Sequence, residues 1–175
     1  GGPRVIRTAL CILRLRGGGV LALGALVALL AGCAFPAREQ PGALLADVVG
    51  RLGLPTATYP LPSGQRLLYS ELPAGFAAYN LDFDAGGRLV RNEQVLTQTR
   101  FENIPVGVWT LADLQRTFGA PLRVERVARF EGDIWTYRFR QLSDPRLAHV
   151  HLDRQGTVRQ VLFTDELPLF DNARD

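Results

Sequence analysis

The twelve residues "TLADLQRTFGAP", Thr110 to Pro121, decide the fold. Leu111, Leu114 and Phe118 recur at the spacing that puts them on one face of a helix. Thr110 and Asp113 have the spacing of a capping box, with Asp in place of the usual Glu. The Thr hydroxyl can accept a bond from a free N–H of the first turn. Gly119 is placed to close the helix and Pro121 forbids its continuation. Beyond it, "RVERVARF" (123–130), "IWTYRFRQ" (134–141), "LAHVHLD" (147–153) and "TVRQVLFT" (157–164) are predicted strands, joined by turns at "EGD", "SDP" and "RQG".

The same order occurs earlier in the chain. "VVGRLGLP" (48–55), "SGQRLLYS" (63–70) and "YNLDFDAGGRLVR" (79–91) match "DLQRTFGAP", "EGDIWTYRF" and "HVHLDRQGTVRQ". Gly53 and Pro55 align with Gly119 and Pro121, Gly64 and Tyr69 with Gly132 and Tyr137, and Asp84, Gly87 and Leu89 with Asp153, Gly156 and Val158. The expected class is α+β: two tandem repeats, each a short helical segment followed by a three- or four-stranded antiparallel sheet, over residues 44–104 and 105–166. Alternation assigns the faces. Ala148, Val150 and Leu152 point inward, and His149, His151 and Asp153 outward. Trp135, Tyr137 and Phe139 share a face, as do Leu81 and Phe83, with Asn80, Asp82 and Asp84 outward. Leu44 stands where Thr110 caps the second helix.

Ahead of these repeats lies a different kind of sequence. Arg4, Arg7, Arg14 and Arg16 precede an uncharged stretch, Gly17–Ala31, and no acidic residue occurs in the first 32. A basic start, a short apolar run and small residues at its end describe a secretory signal peptide. A bilayer span needs about 20 apolar residues, and Gly17-Gly18-Gly19 leave only Val20–Ala31 uninterrupted. Leu30-Ala31-Gly32-Cys33 resembles the bacterial lipobox. That resemblance implies diacylglyceryl transfer to Cys33, cleavage between Gly32 and Cys33, and N-acylation, and Ala34 favours delivery to the outer membrane. Residues 1–32 are thus expected to be removed, 33–43 to form the lipidated Cys and a flexible Pro- and Gly-rich tether, and 167–175 to be a tail that frays from Asn172. The chain begins with Gly and contains no Met, so its first residue is read as a trimmed or displaced start.

Removing that segment changes the charge. Of 20 basic residues four leave with it, so 16 Arg remain against 17 Asp plus Glu, a balance of −1. The basic character belongs mostly to the targeting segment, so composition makes no case for nucleic-acid binding. Cys11 also departs and Cys33 is consumed by lipid, leaving a body without a disulfide or a free thiol.

The order of a capped short helix, Gly-x-Pro, a "W-x-Y" strand and "L-D-x-x-G-x-V" resembles the BamE/SmpA/OmlA outer-membrane lipoproteins, in tandem. Gly107, Thr110, Gly119, Pro121, Trp135, Tyr137, Asp153 and Gly156 stand in family order. The family's Gly-x-Thr is one residue longer here, Gly107-Val-Trp-Thr110, and is not found in the first copy. Two such units also look like the fold of the β-lactamase-inhibitor protein. The resemblance implies a noncatalytic, periplasm-facing module in outer-membrane assembly or envelope integrity. Its expected partners are outer-membrane lipid, through Cys33, and envelope or assembly proteins.

Residues that could carry chemistry are few. In "HVHLD", His149, His151 and Asp153 project from one strand face, a geometry in which two imidazoles and a third ligand could meet Zn²⁺. The competing reading makes them polar residues of a solvated face, with Asp153 bonded inside its own turn. Asn80, Asp82 and Asp84 at the matching positions favour the second, and a metal-dependent enzyme stays an alternative. No serine lies in a nucleophile or phosphate-loop context, and neither a catalytic residue nor a cofactor is expected. Trp109 and the arginines Arg138 and Arg140 are binding candidates. For Trp109 the structural alternative is a staple across the helix start. For the arginines it is cross-strand pairing with Glu125, Glu131 and Asp133, set against contact with anionic lipid. An inhibitor offering a concave double-sheet surface to an enzyme is the other functional alternative.

Overall fold

The computed structural model describes residues 34–167, so the expected signal segment, Cys33 and the tail from residue 168 lie outside the described residues. The body is α+β, with two antiparallel four-stranded sheets. A 3-10 turn at Pro36–Arg38 is followed by α1 (Leu45–Leu52), β1 (Ala57–Leu61), β2 (Gly64–Ser70), β3 (Ala78–Asp84) and β4 (Leu89–Gln94). Then come α2 (Gln98–Glu102), α3 (Leu111–Phe118), β5 (Arg123–Glu125), β6 (Gly132–Gln141), β7 (Asp144–Asp153) and β8 (Val158–Asp165). Strands lie in chain order within each sheet.

Each eight-residue helix starts against a turn of its own sheet. The Leu45 N–H donates to Gly87 O (2.9 Å) and the Leu111 N–H to Gly156 O (2.8 Å). Those turns are held by carboxylates: Asp84 Oδ1 accepts from Arg88 N (2.9 Å), and Asp153 Oδ1 from Gln155 N (3.0 Å) and Thr157 N (2.9 Å). At α3, Asp113 Oδ2 accepts from both the backbone N–H (2.8 Å) and the hydroxyl (2.9 Å) of Thr110, so the Thr side chain donates to the carboxylate. α1 has no side-chain cap at Leu44. Both helices end on a glycine at positive φ, Gly53 at +80° and Gly119 at +78°, a conformation that a β-carbon would strain. A buried tyrosine then secures each end: Tyr69 donates to Gly53 O (2.9 Å) and Tyr137 to Gly119 O (3.1 Å).

Gly64 and Gly132 are required for a second reason. A β-carbon at either would lie 1.9 Å from a carbonyl oxygen of the adjacent strand, Phe83 O and Leu152 O respectively. At the entrance to the helices, the Gly42 N–H donates to Leu89 O (2.7 Å) and the Gly107 N–H to Val158 O (2.8 Å). The first half therefore carries a structural counterpart of Gly107, although with Leu44 in place of the Thr it lacks the Gly-x-Thr motif. It was hidden because Gly42 precedes Leu44, which does not resemble the Thr110 cap.

The core has two parts. Val48, Leu67, Tyr69, Leu81, Phe83 and Leu89 pack between α1 and the first sheet. The larger cluster joins Leu114, Phe118, Trp135, Tyr137, Phe139 and Val150 to Phe101 of α2 and to Leu68 and Ala78 of the first sheet. Phe101 and Phe118 stack at 4.5 Å between ring centroids. Each fully buried Leu or Phe side chain favours folding by roughly 1.5–3 kcal/mol.

Leu68 belongs to the face of the first sheet opposite Leu67 and Tyr69, and this face is covered too. The Leu68 side chain abuts Gly119, Asn80 Nδ2 donates to Thr117 O at 2.9 Å, and Arg66 Nη1 donates to Arg116 O at 3.3 Å. Asn80 and Asp82, expected to face solvent, are only 1% and 8% exposed. The end of α3 lies over them. Arg66 pairs with Asp82 at 2.6 Å within this layer, as a buried carboxylate requires.

Two other expectations fail. The strand at 123–130 stops at Glu125: Val124 and Val127 are about half exposed, so little burial holds the segment to the sheet edge. Arg126 instead bonds Asp133 at 2.5 Å. The predicted tether is docked from Phe35 onward. Asn92 Nδ2 donates to Pro36 O (2.7 Å) and Glu39 O (3.0 Å), Glu39 pairs with Arg51 at 2.6 Å, and Leu89 N donates to Ala43 O at 2.8 Å. Backbone carbonyls thus find partners on β4, which the Pro and Gly content concealed.

Candidate functional site

Antiparallel pairing puts Thr136 opposite His149 and Ile134 opposite His151 on the outward face of the second sheet. His149 Nδ1 lies 3.0 Å from Thr136 Oγ1 and Nε2 lies 2.8 Å from Thr164 Oγ1, so both ring nitrogens have hydroxyl partners. Burial, then the nearby Arg123 guanidinium, hold its pKa below the ordinary imidazole range, and the His151 neighbour acts the same way while Glu125 opposes. Burial also lowers His151, whose ring meets Phe130 edge-on at 5.0 Å. Asp153 turns away from both: besides its own turn, it accepts from Arg159 Nε at 2.6 Å. The Thr157 N–H is the first cause of its lowered pKa. Among the described residues, no three His, Cys, Asp or Glu side chains converge as metal ligands. His149 is thus bonded to neighbouring strands and Asp153 to its own turn, while His151 packs on Phe130.

Trp109 is partly buried against the larger core, its ring 6.2 Å from that of Phe118. The ring thus reaches the last residue of α3 and packs on the core beneath the helix. Arg138 and Arg140 are drawn to one partner that the sequence did not advertise. Phe76, in the β2–β3 loop, carries the Arg140 guanidinium at 4.2 Å and that of Arg138 at 5.1 Å from its ring centroid. Arg138 also donates to Pro73 O (3.1 Å) and to Glu166 Oε1 (2.9 Å from Nε), and Arg140 to Ser143 O (3.1 Å). The pair clasps the loop of the first sheet to the second. An aromatic residue in a loop that no periodic face claimed was the available signal. Of the pairing partners considered for the arginines, Glu125 takes Arg123 (2.8 Å) and Asp133 takes Arg126, whereas Glu131 takes Arg154 (2.6 Å).

Two clefts occupy matching corners of the sheets. One, of about 550 Å³, is lined by Arg126, Phe130, Gly132, Asp133, Asp153 and Arg154. The other, of about 520 Å³, is lined by Thr58, Pro60, Gly64, Gln65 and Asp84. The charges of the first are matched within the protein, by the pairs Arg126–Asp133, Arg154–Glu131 and Arg159–Asp153.

The architecture defines an α+β protein of two four-stranded antiparallel sheets. No protein-family model matches the chain, and no curated protein matches it. Among solved structures it is similar to a DUF4309 family protein, YjgB, from Bacillus subtilis subsp. subtilis str. 168. That similarity has 18% identity over 71% of this chain and 79% of the other, with a TM-score of 0.30.

Proposed function

We propose that the chain is a noncatalytic bacterial outer-membrane lipoprotein, anchored at Cys33. Its body is two tandem copies of a helix-then-sheet unit, over residues 44–104 and 105–166, serving as a protein-binding or scaffolding module in the envelope. The observation that carries this reading is the run from Arg4 to Cys33: four arginines, an uncharged apolar stretch, and Leu-Ala-Gly-Cys at its end. The tandem arrangement is supported by the paired geometry of the two halves, from the glycines that enter and close the helices to the tyrosines bonded to them. The kinship with BamE/SmpA/OmlA proteins rests on the same residues, and here Gly107, Thr110, Gly119, Tyr137 and Asp153 each hold backbone. Metabolic labelling with palmitate tests the anchor. Label and outer-membrane sedimentation are expected for the native chain and neither for Cys33→Ala; a variant that keeps both refutes the proposal. Crosslinking in intact cells should then return envelope proteins as partners.

A further inference from the structure

A lipid-anchored protein is usually separated from its bilayer by a pliable stretch, and the sequence invites that picture for residues 33–43. The docked segment removes it. Phe35 is the N-cap of the 3-10 turn, and from there to Ala43 the chain is held by Asn92, by the Glu39–Arg51 pair and by backbone bonds to Leu89. Only Ala34 intervenes between Cys33 and this fixed segment. Two residue steps span at most about 7 Å when fully extended.

We propose that the body is seated directly on the bilayer, with the edge formed by Phe35, Ala37 and Arg38 at the headgroup level. The inference rests on acylation of Cys33. Phe35 is 49% exposed, and the Arg38 guanidinium lies 5.6 Å from its ring centroid. An aromatic ring beside a cation suits the interface between acyl chains and anionic headgroups. The occupant of this edge is therefore a lipid surface. The docking bonds also limit reach, because so short a link keeps Phe35 within a few ångströms of the acylated residue.

The test uses the acylated full-length product in vesicles of phosphatidylethanolamine and phosphatidylglycerol containing brominated lipid. A single fluorophore is attached at Ala37→Cys or, in a second protein, at Leu142→Cys on the exposed β6–β7 turn. Quenching at least threefold stronger at position 37 is expected. Inserting sixteen Gly and Ser residues between Ala34 and Phe35, a flexible reach of roughly 20 Å, should abolish that difference. Equal quenching at the two positions, or a difference that survives the insertion, overturns the seating while leaving the anchor intact. Mass spectrometry of the same samples separates the two claims: an unmodified Cys33 overturns the anchor and the seating together.

Discussion

The positions that tolerate least change are small or buried ones whose reason is a single atom's distance. Gly64→Ala and Gly132→Ala each drive a β-carbon onto a strand carbonyl, and a backbone oxygen cannot swing aside as a side chain does. Overpacking costs about 1–3 kcal/mol, and both variants are expected at or above the top of that range in urea titrations. Tyr137→Phe leaves Gly119 O without its donor in a buried site and should cost about 1–3 kcal/mol. Tyr69→Phe should cost less, because Gly53 is exposed. His149 and His151 set an acid dependence. Above the ordinary imidazole pKa of about 6.5 neither state is charged. Below it the unfolded chain takes up protons first, since the native pKa values are depressed. Stability therefore falls with pH until the native rings protonate. His149→Gln should flatten this fall between about pH 7 and 5, read as urea midpoints. The aligned glycines and tyrosines were visible in the sequence as a repeat. Their contacts were not, because close approach between strands depends on register.

At the level of elements, both helices carried a Gly-x-Pro stop in the sequence, but only α3 carried a start signal. Thr110, Asp113, Gly119 and Pro121 bracket α3 in the sequence, and the carboxylate of Asp113 does cap it. The Thr110 N–H holds that carboxyl below its usual range, with the hydroxyl and Arg116 assisting against burial. Its contribution is accordingly present above the unfolded carboxylate pKa of about 3.9 and lost as pH falls through the native value. Asp113→Ala should cost about 1 kcal/mol at neutral pH, measured by chemical denaturation, and less in strong acid. α1 was harder to predict because Leu44 supplies no cap; its first N–H finds Gly87 instead, across the sheet. β5 was overestimated for the converse reason. "RVERVARF" alternates well enough for a strand, yet its valines are only about half covered. The Pro36–Ala43 segment was misread because its partners lie on β4, some 50 residues away in sequence.

Across the whole molecule, the misjudged feature is the outward face of the first sheet. Asn80 and Asp82 read as solvated because the alternation of β3 is polar there, but alternation reports only that two faces differ. It does not say what lies against either. Here α3 covers the polar face, and its main-chain carbonyls accept from Asn80 and Arg66. Asn80→Ala leaves Thr117 O unanswered in a buried layer and should cost about 1–3 kcal/mol. Because the layer is shared by the two sheets, loss of helical signal and of tryptophan fluorescence should coincide in one transition, measured by circular dichroism and emission on the same samples. A polar wall that is dry only while its neighbour is present makes the earlier portion dependent on the later one. Cutting the chain after α2 would uncover a carboxylate, an amide and a leucine together, so the first sheet is not expected to persist alone as a soluble fragment.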